Sequence, residues 1–507
     1  MTVPVYRFAT PVGANSFARR IKANKFAPTL LLALAMSGCA IGPDYQRPEL
    51  NTPAAFKQAA GWKAAEPADA LARGAWWELY GDATLNALQQ RLQQSNQSLA
   101  QSLAQYREAQ ALVRGTRASF FPSLSGNASK TRSGQGTGQS TVRLADGSTV
   151  TSGVSGGGIS KSYDLTFGVN WELDLWGKLR RQLEADNASL SASAADLAAV
   201  RLSLQSELAQ NYLQLRVLDE QQRLLDATVA AYARSLKLTE NQYQAGIVPK
   251  SDVTQARTQL KSTEAQAIDL RYQRAQLEHA IAVLVGVPPA EFELAAVDGV
   301  PSLPEVPVSV PSVLLERRPD VASAERAVMS ANAEIGVARA AWFPSLNLSA
   351  AGGYRGDTFG QWINTPNRFW SIGPEFAMTL FDAGLIRSQV DQAEARYDQT
   401  VAAYRQTVLD SFREVEDYLV QLRVLEEESG VQQEALDAAR ESLRLIENQY
   451  KAGTIDYNSV VSVQTAALSN ERSHLTLLGS RLTASVQLIA ALGGGWQGVA
   501  AEQGVTD

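Results

Sequence analysis

The chain has 507 residues, 45% hydrophobic and 19% charged, and a formal net charge of −6. An acidic chain without a basic cluster argues against nucleic-acid binding. One cysteine excludes an intrachain disulfide, two histidines leave no evident metal or Cys/His catalytic site, and no Walker-type Gly-Lys-Ser/Thr segment occurs; neither enzyme chemistry nor a cofactor is expected.

Residues 1–38 read as a signal peptide: a basic region with Arg7, Arg19, Arg20, Lys22 and Lys25, the apolar stretch Thr29 to Met36, then small residues. Removing those five cations from −6 leaves −11 for the mature chain. Met36-Ser37-Gly38-Cys39 resembles a bacterial lipobox, with Met36 in place of the favoured Leu. In that resemblance Cys39 becomes the first residue and carries covalent lipid, and Ala40 after it implies the outer membrane. Two acyl chains suffice for stable anchoring. A plain signal peptide with an incidental cysteine is the alternative. Beyond residue 38 no run of about 18 apolar residues appears, so no spanning helix is expected. A β-barrel would leave no such mark.

After an extended segment, residues 39–83, the chain enters the first copy of a duplicated unit, residues 84–285. Glu240-Asn241-Gln242-Tyr243 recurs as Glu447-Asn448-Gln449-Tyr450, and Leu215-Arg216-Val217-Leu218 as Leu422-Arg423-Val424-Leu425, both 207 residues on. Phe121-Pro122-Ser123-Leu124 recurs as Phe343-Pro344-Ser345-Leu346 at an offset of 222, the excess lying in one Gly/Ser/Thr-rich loop of the first copy.

Residues 163–175 alternate: Tyr163, Leu165, Phe167, Val169, Trp171, Leu173 and Leu175 against Asp164, Thr166, Gly168, Asn170, Glu172 and Asp174. A period of two over that length exceeds an ordinary soluble strand and fits a membrane-spanning one. A partner strand holds Leu124, Gly126 and Ala128, with a loop from about Thr131 to Ser160 between them. Trp171, Trp176, Phe369 and Trp370 suit the aromatic interface. Glu172, Asp174 and Glu375 fall on the polar side, where they would favour cations, although Asp174 could simply end its strand.

From Lys178 to Ala245 no Gly or Pro occurs. Leu197, Val200, Leu204, Leu208, Tyr212, Leu215, Leu218, Leu225, Val229, Tyr232 and Leu236 form a stripe at coiled-coil spacing on this long helix. It stops at Ala245-Gly246-Ile247, and a second helix follows over about 251–285. Glycine just past the last helical residue is the usual stop.

Residues 286–319 form a Pro-rich connector. The second copy, residues 320–492, repeats the plan. Leu346, Leu348 and Ala350 precede the alternating Trp370, Ile372, Pro374, Phe376 and Met378, where Pro374 predicts a bulge or kink. A second long stretch from Leu385 to Ala452, free of Gly and Pro except for Gly430, turns at Ala452-Gly453-Thr454 into a helix over about 457–492. Residues 493–507 form a tail. Strands feed long helices directly, so the two turns form tips far from the sheet. Four strands cannot close a barrel, and open edges in lipid are costly. The chain must oligomerise; dimer, trimer and tetramer all stay open on this ground.

Gly42-Pro43-Asp44-Tyr45, Trp76-Trp77 with Tyr80, Asp82 and Leu85, the run Pro311 to Asp320 and the two Phe-Pro-Ser-Leu elements together resemble the TolC-like outer-membrane efflux lipoproteins of the NodT/OprM family serving RND pumps. The resemblance spans Cys39 to about Leu492. It implies an α+β membrane protein with four transmembrane strands and long coiled-coil-like helices per chain, and a homotrimer whose 12-strand β-barrel continues as a periplasmic α-barrel. A mixed belt would use residues 40–75, the connector, Gly430 and the tail. The resemblance further implies the passive exit duct of a tripartite pump, anchored in outer-membrane lipid. A periplasmic membrane-fusion adaptor would grip the tips Ala245, Gly246, Ile247, Ala452, Gly453 and Thr454, and an inner-membrane RND transporter would supply energy. The family's acidic gate positions are Ser459 and Ser462 here, leaving Asp252 and Asp456 as charges and closure to Tyr457, Val460 and hydrogen bonding. Asp252 reads equally as an acid favoured by a helix N-terminus. The other functions weighed are a duct for type I protein secretion and a lipid-anchored structural coiled-coil protein.

Overall fold

The computed structural model describes residues 40–50, 52–53, 55–58, 75–134, 139–144, 147–153, 159–304 and 318–494. The signal peptide, Cys39, residues 311–317 and the tail beyond residue 494 lie outside the described residues.

A 3-10 helix, Trp76–Tyr80, leads into α1 (Ala83–Ser95) and α2 (Gln97–Ala118). The Asp82 carboxylate accepts the Thr84 and Leu85 N–H groups at 2.8 and 2.9 Å, and Asn96 caps α2 through Leu99 N–H at 2.8 Å. Each side chain satisfies donors that the first helical turn leaves unpaired.

Next come β1 (Ser123–Gly134), β2 (Gln139–Arg143), β3 (Thr149–Gly153) and β4 (Ile159–Leu173). The loop between β1 and β4 therefore carries a β2–β3 ribbon of its own, and the expected Thr131–Ser160 loop yields both its ends to the strands. Helix α3 (Lys178–Gln244) follows, then α4 (Lys250–Leu284). The second copy supplies α5 (Pro319–Ala340), β5 (Ser345–Gly356), β6 (Arg368–Ala377), α6 (Leu385–Lys451) and α7 (Tyr457–Ala491). The two long helices have 67 residues each and their return helices 35 each. At 1.5 Å per residue a long helix measures about 100 Å. Among the described residues no helix is long and apolar enough to cross a membrane.

Helix α6 runs continuously through Gly430. A Cβ at Gly430 would meet nothing within 4 Å, so the residue costs the helix only glycine's weak propensity, about 1 kcal/mol.

One antiparallel sheet has the order β1-β4-β5-β6. Its register sorts the side chains. One face carries Leu124, Gly126 and Ala128 of β1, Leu165, Phe167, Val169, Trp171 and Leu173 of β4, Leu346, Leu348 and Ala350 of β5, and Trp370, Ile372, Pro374 and Phe376 of β6. The other carries Ser123, Ser125, Asn127, Thr166, Asn170, Glu172, Asn347, Ser349, Ser371 and Glu375. Pro374 pairs opposite Leu348 in an unbroken register, without the expected bulge. It sits on an edge strand, where a missing N–H is tolerated. Phe369, opposite Gly353, falls on the polar face rather than in the aromatic interface, with the Arg355 guanidinium 5.2 Å from its ring centroid. Successive strand residues alternate sides, so Phe369 and Trp370 cannot share one.

Beside the sheet the helices pack in the order α2-α3-α5-α6, and farther away in the order α4-α3-α7-α6. One flank of the chain is thus β1, α2 and α4, and the other β6 and α6. Both flanks expose large apolar side chains: Leu103, Leu112, Ile268 and Tyr272 on the first, Leu409, Val420, Val424, Val431 and Leu445 on the second.

Candidate functional site

The segment after Cys39 is docked where β4 becomes α3. Ile41 N–H donates to the Trp176 carbonyl at 3.1 Å. The Arg181 guanidinium donates to the Ile41 and Gly42 carbonyls at 3.2 and 3.3 Å and to the Asp44 carboxylate at 2.8 Å. Gly42 has φ +113°, and a Cβ there would stand 2.5 Å from Gly336 Cα. Only glycine suits both that φ and that approach. Asn332 Nδ2 holds the Pro43 carbonyl at 3.0 Å, and Tyr45 and Arg47 both reach Glu325. Ala40 packs against Gly177, where a Cβ would come within 2.8 Å of its Cα. Ala40 therefore stands at the end of the sheet, where β4 gives way to α3.

At this same level Trp176 Nε1 donates to the Pro344 carbonyl at 2.7 Å and its ring lies 5.0 Å from that of Phe343. Asp174 does not face a lumen. It has left the strand and accepts the Leu179 and Arg180 N–H groups at 3.0 Å each, capping α3. Glu172 and Glu375 remain on the polar face, both directly opposite Asn347. Leu380 and Phe381 follow β6 and are 89% and 88% exposed.

The two tips share one geometry. Gly246 N–H donates to Tyr243 O and Ile247 N–H to Gln242 O, both at 2.9 Å; Gly453 and Thr454 repeat this with Tyr450 and Gln449 at 2.9 and 3.1 Å. With φ +78° and +75° at the glycines, these are Schellman turns. Ala245, Gly246, Ile247, Ala452, Gly453 and Thr454 are all exposed.

The gate candidates separate. Tyr457 and Val460 are buried at 2% exposure each, packed with Tyr450 and Ala256 inside the chain's own four helices. Tyr457 and Tyr450 form an edge contact at 5.4 Å. Tyr457 Oη lies 3.4 Å from Ser235 Oγ, and Tyr450 Oη donates to Gln242 Oε1 at 2.9 Å. These bonds tie the α6–α7 hairpin to α3. Burial pushes both phenols up, and the Asp252 carboxylate adds to each shift. Asp252 stands in the first turn of α4, the position the dipole favours. Asp456 caps α7, accepting Ser459 Oγ at 2.6 Å and Ser459 N–H at 3.0 Å. Those bonds hold its carboxyl below the usual range. Ser462 is exposed and bonds back to the Asn458 carbonyl.

Midway along the helices the chain has its largest core. Trp76, Trp77, Tyr80, Leu85 and Leu88 pack against Leu208, Tyr212 and Leu215 of α3, Ile281 of α4, Phe412 and Val415 of α6 and Leu482 and Leu488 of α7. Tyr80 Oη lies 2.7 Å from Ser485 Oγ, and Tyr212 donates to Asp82 at 2.8 Å. The sequence reading did not single out Arg181, Tyr450, Arg216 or Arg423 as functional. The last three stood inside the repeated motifs, where recurrence itself was the signal.

The chain matches the model of the family described as outer membrane efflux protein over residues 88–287 and 310–494. It is 30% identical over 467 residues to the probable efflux pump outer membrane protein TtgC of Pseudomonas putida, covering 92% of this chain and 94% of that one. It is 29% identical over 470 residues to the cation efflux system protein CusC of Escherichia coli, covering 92% and 98%. The solved outer-membrane channel OprN superposes with a TM-score of 0.79 at 30% identity, covering 90% of this chain and all of that one.

Proposed function

The chain belongs to the outer membrane efflux protein family, and on that premise we propose that three copies form the passive outer-membrane duct of an RND-type tripartite efflux pump. The observation that carries the reading is the registered sheet, apolar on one face and polar on the other, whose edge strands β1 and β6 have no outer partner among the described residues. Backbone groups at an open edge in lipid cost several kcal/mol each, so β6 of one copy pairs with β1 of the next. The flanks agree: α6 of one copy meets α2 and α4 of the next, covering the exposed apolar side chains of both. Such a head-to-tail contact forms a ring where its rotation closes, as proposed for three copies. Three sheets of four strands make a twelve-stranded barrel, and the helices below make the periplasmic tube.

In this placement lipid on Cys39 would enter the membrane at its boundary, because Ala40 is fixed at the sheet's helical end. The exposed tips receive a periplasmic adaptor, and an inner-membrane transporter supplies the energy. The Tyr450 and Tyr457 bonds to α3 latch the two hairpins together and keep the tip closed; Asp252 and the Asp456–Ser459 cap set charge at the mouth.

The test is the susceptibility of a deletion strain to drugs, dyes, detergents and metal ions, with the gene restored in trans. Sensitisation that the gene reverses is expected, and its pattern names the cargo. No change across the panel would favour the secretion duct or the structural lipoprotein.

A further inference from the structure

The apolar face of the sheet ends in cations at the end away from the helices. Its band runs from Leu165 to Leu173 on β4, roughly 27 Å along the strand and about 20 Å in height at a tilt near 40°. At its upper edge Tyr354 pairs opposite Arg368, and Lys130 opposite Tyr163, its ammonium 5.6 Å from the ring centroid. One step beyond, Arg132 stands directly opposite Lys161. The alternation places Lys130, Arg132, Lys161 and Arg368 on the apolar side, and all four are exposed. Among the described residues none of them pairs with a carboxylate. Asp164, the nearest acid in the sheet, lies on the polar face and is taken by Arg355.

Like charges directly opposite each other destabilise an antiparallel pair. Arg132 and Lys161 face outward just above the aromatic residues, at the height where a barrel meets lipid headgroups. An anion held between them removes the repulsion, and long cationic side chains reach such an anion from the edge of an apolar band. We propose that this basic rim binds the phosphate groups of lipid headgroups in the extracellular-facing leaflet, with Arg132 and Lys161 sharing one phosphate. The inference rests on the barrel reading above.

The test is native mass spectrometry of the purified full chain in detergent. It is titrated with bisphosphorylated lipid A, with the dephosphorylated lipid, and with inorganic phosphate. The expected result is saturable binding of the phosphorylated lipid alone, weakened about 30-fold in Arg132→Gln/Lys161→Gln, since each cation near anionic lipid contributes about a fivefold factor. Wild-type affinity in the double variant, equal binding of the dephosphorylated lipid, or equally tight inorganic phosphate would overturn the proposal. Conductance of both proteins in planar bilayers separates the outcomes. A conducting channel without lipid selectivity refutes only the rim, whereas absent conductance in the wild type refutes the barrel.

Discussion

Arg216 and Arg423, equivalent residues of the two long helices, each grip a segment of chain crossing the helix at mid-height. Arg216 donates to the Gly299 and Asp298 carbonyls at 2.5 and 3.2 Å; Arg423 donates to the Gln58 carbonyl at 2.5 Å and to its Oε1 at 2.8 Å. Acids of the same helices take the N–H groups: Glu220 from Gly299 at 2.7 Å, and Glu416 from Lys57 and Gln58 at 2.6 and 2.9 Å. The duplication therefore repeats a clasp as well as a fold.

Arg216→Ala removes the charged donor from the Gly299 and Asp298 carbonyls. The expected cost is about 2–3 kcal/mol, read as a lower midpoint of thermal unfolding and faster proteolysis near residue 299. Arg423→Lys will not restore the second clasp, because a point-charge ammonium cannot replace a planar fork that bonds two acceptors. Unchanged proteolysis in both variants would remove the clasp from the account.

Tyr450→Phe and Tyr457→Phe each remove one hydroxyl that links the second hairpin to α3. At about 1 kcal/mol per bond, single-channel open probability is expected to rise roughly fivefold in Tyr450→Phe. The rise in Tyr457→Phe is smaller, because its contact with Ser235 is longer at 3.4 Å. Asp252→Ala is the companion experiment: an unchanged open probability assigns Asp252 to the helix terminus alone.

Asp456 titrates below an ordinary aspartate because Ser459 bonds its charged form. A depressed folded-state pKa contributes stability above the unfolded value, and that contribution is lost as pH falls through the folded value. Ser459→Ala is expected to move the Asp456 titration upward toward the ordinary value near 3.9, followed by carbon-detected NMR of the carboxyl. No movement would mean that the cap has little influence on the charge.

Glu172 and Glu375 flank Asn347 on the polar face, and the proposed ring would repeat them. Reversal potentials are expected to show cation preference, reduced in Glu172→Gln/Glu375→Gln and unaltered in Asp174→Asn, since Asp174 caps a helix. Equal selectivity in wild type and double variant would place the filter elsewhere.

Gly42→Ala puts a Cβ against Gly336 at a positive φ. The anchor segment is expected to detach from α3 and α5, giving a sharp rise in hydrogen exchange at residues 41–45. Exchange equal to that of wild type would show that the segment is held without the close approach.

The strands and long helices were legible because their side chains repeat at periods of 2 and about 3.5, and the tips because glycine marks the helix stop. Contacts such as Tyr80–Ser485 and Lys57–Glu416 join residues hundreds of positions apart and leave no periodic trace. That Tyr457 and Val460 pack with Tyr450 and Ala256 follows from the meeting of four helices, which no local spacing encodes. Phe369 could have been assigned correctly from parity alone, given Trp370 beside it.

The most direct measurement is the oligomeric mass of the full chain extracted from outer membranes, by native mass spectrometry. The account predicts three copies, joined β6 to β1. A stable monomer, or a ring of any other number, would contradict it.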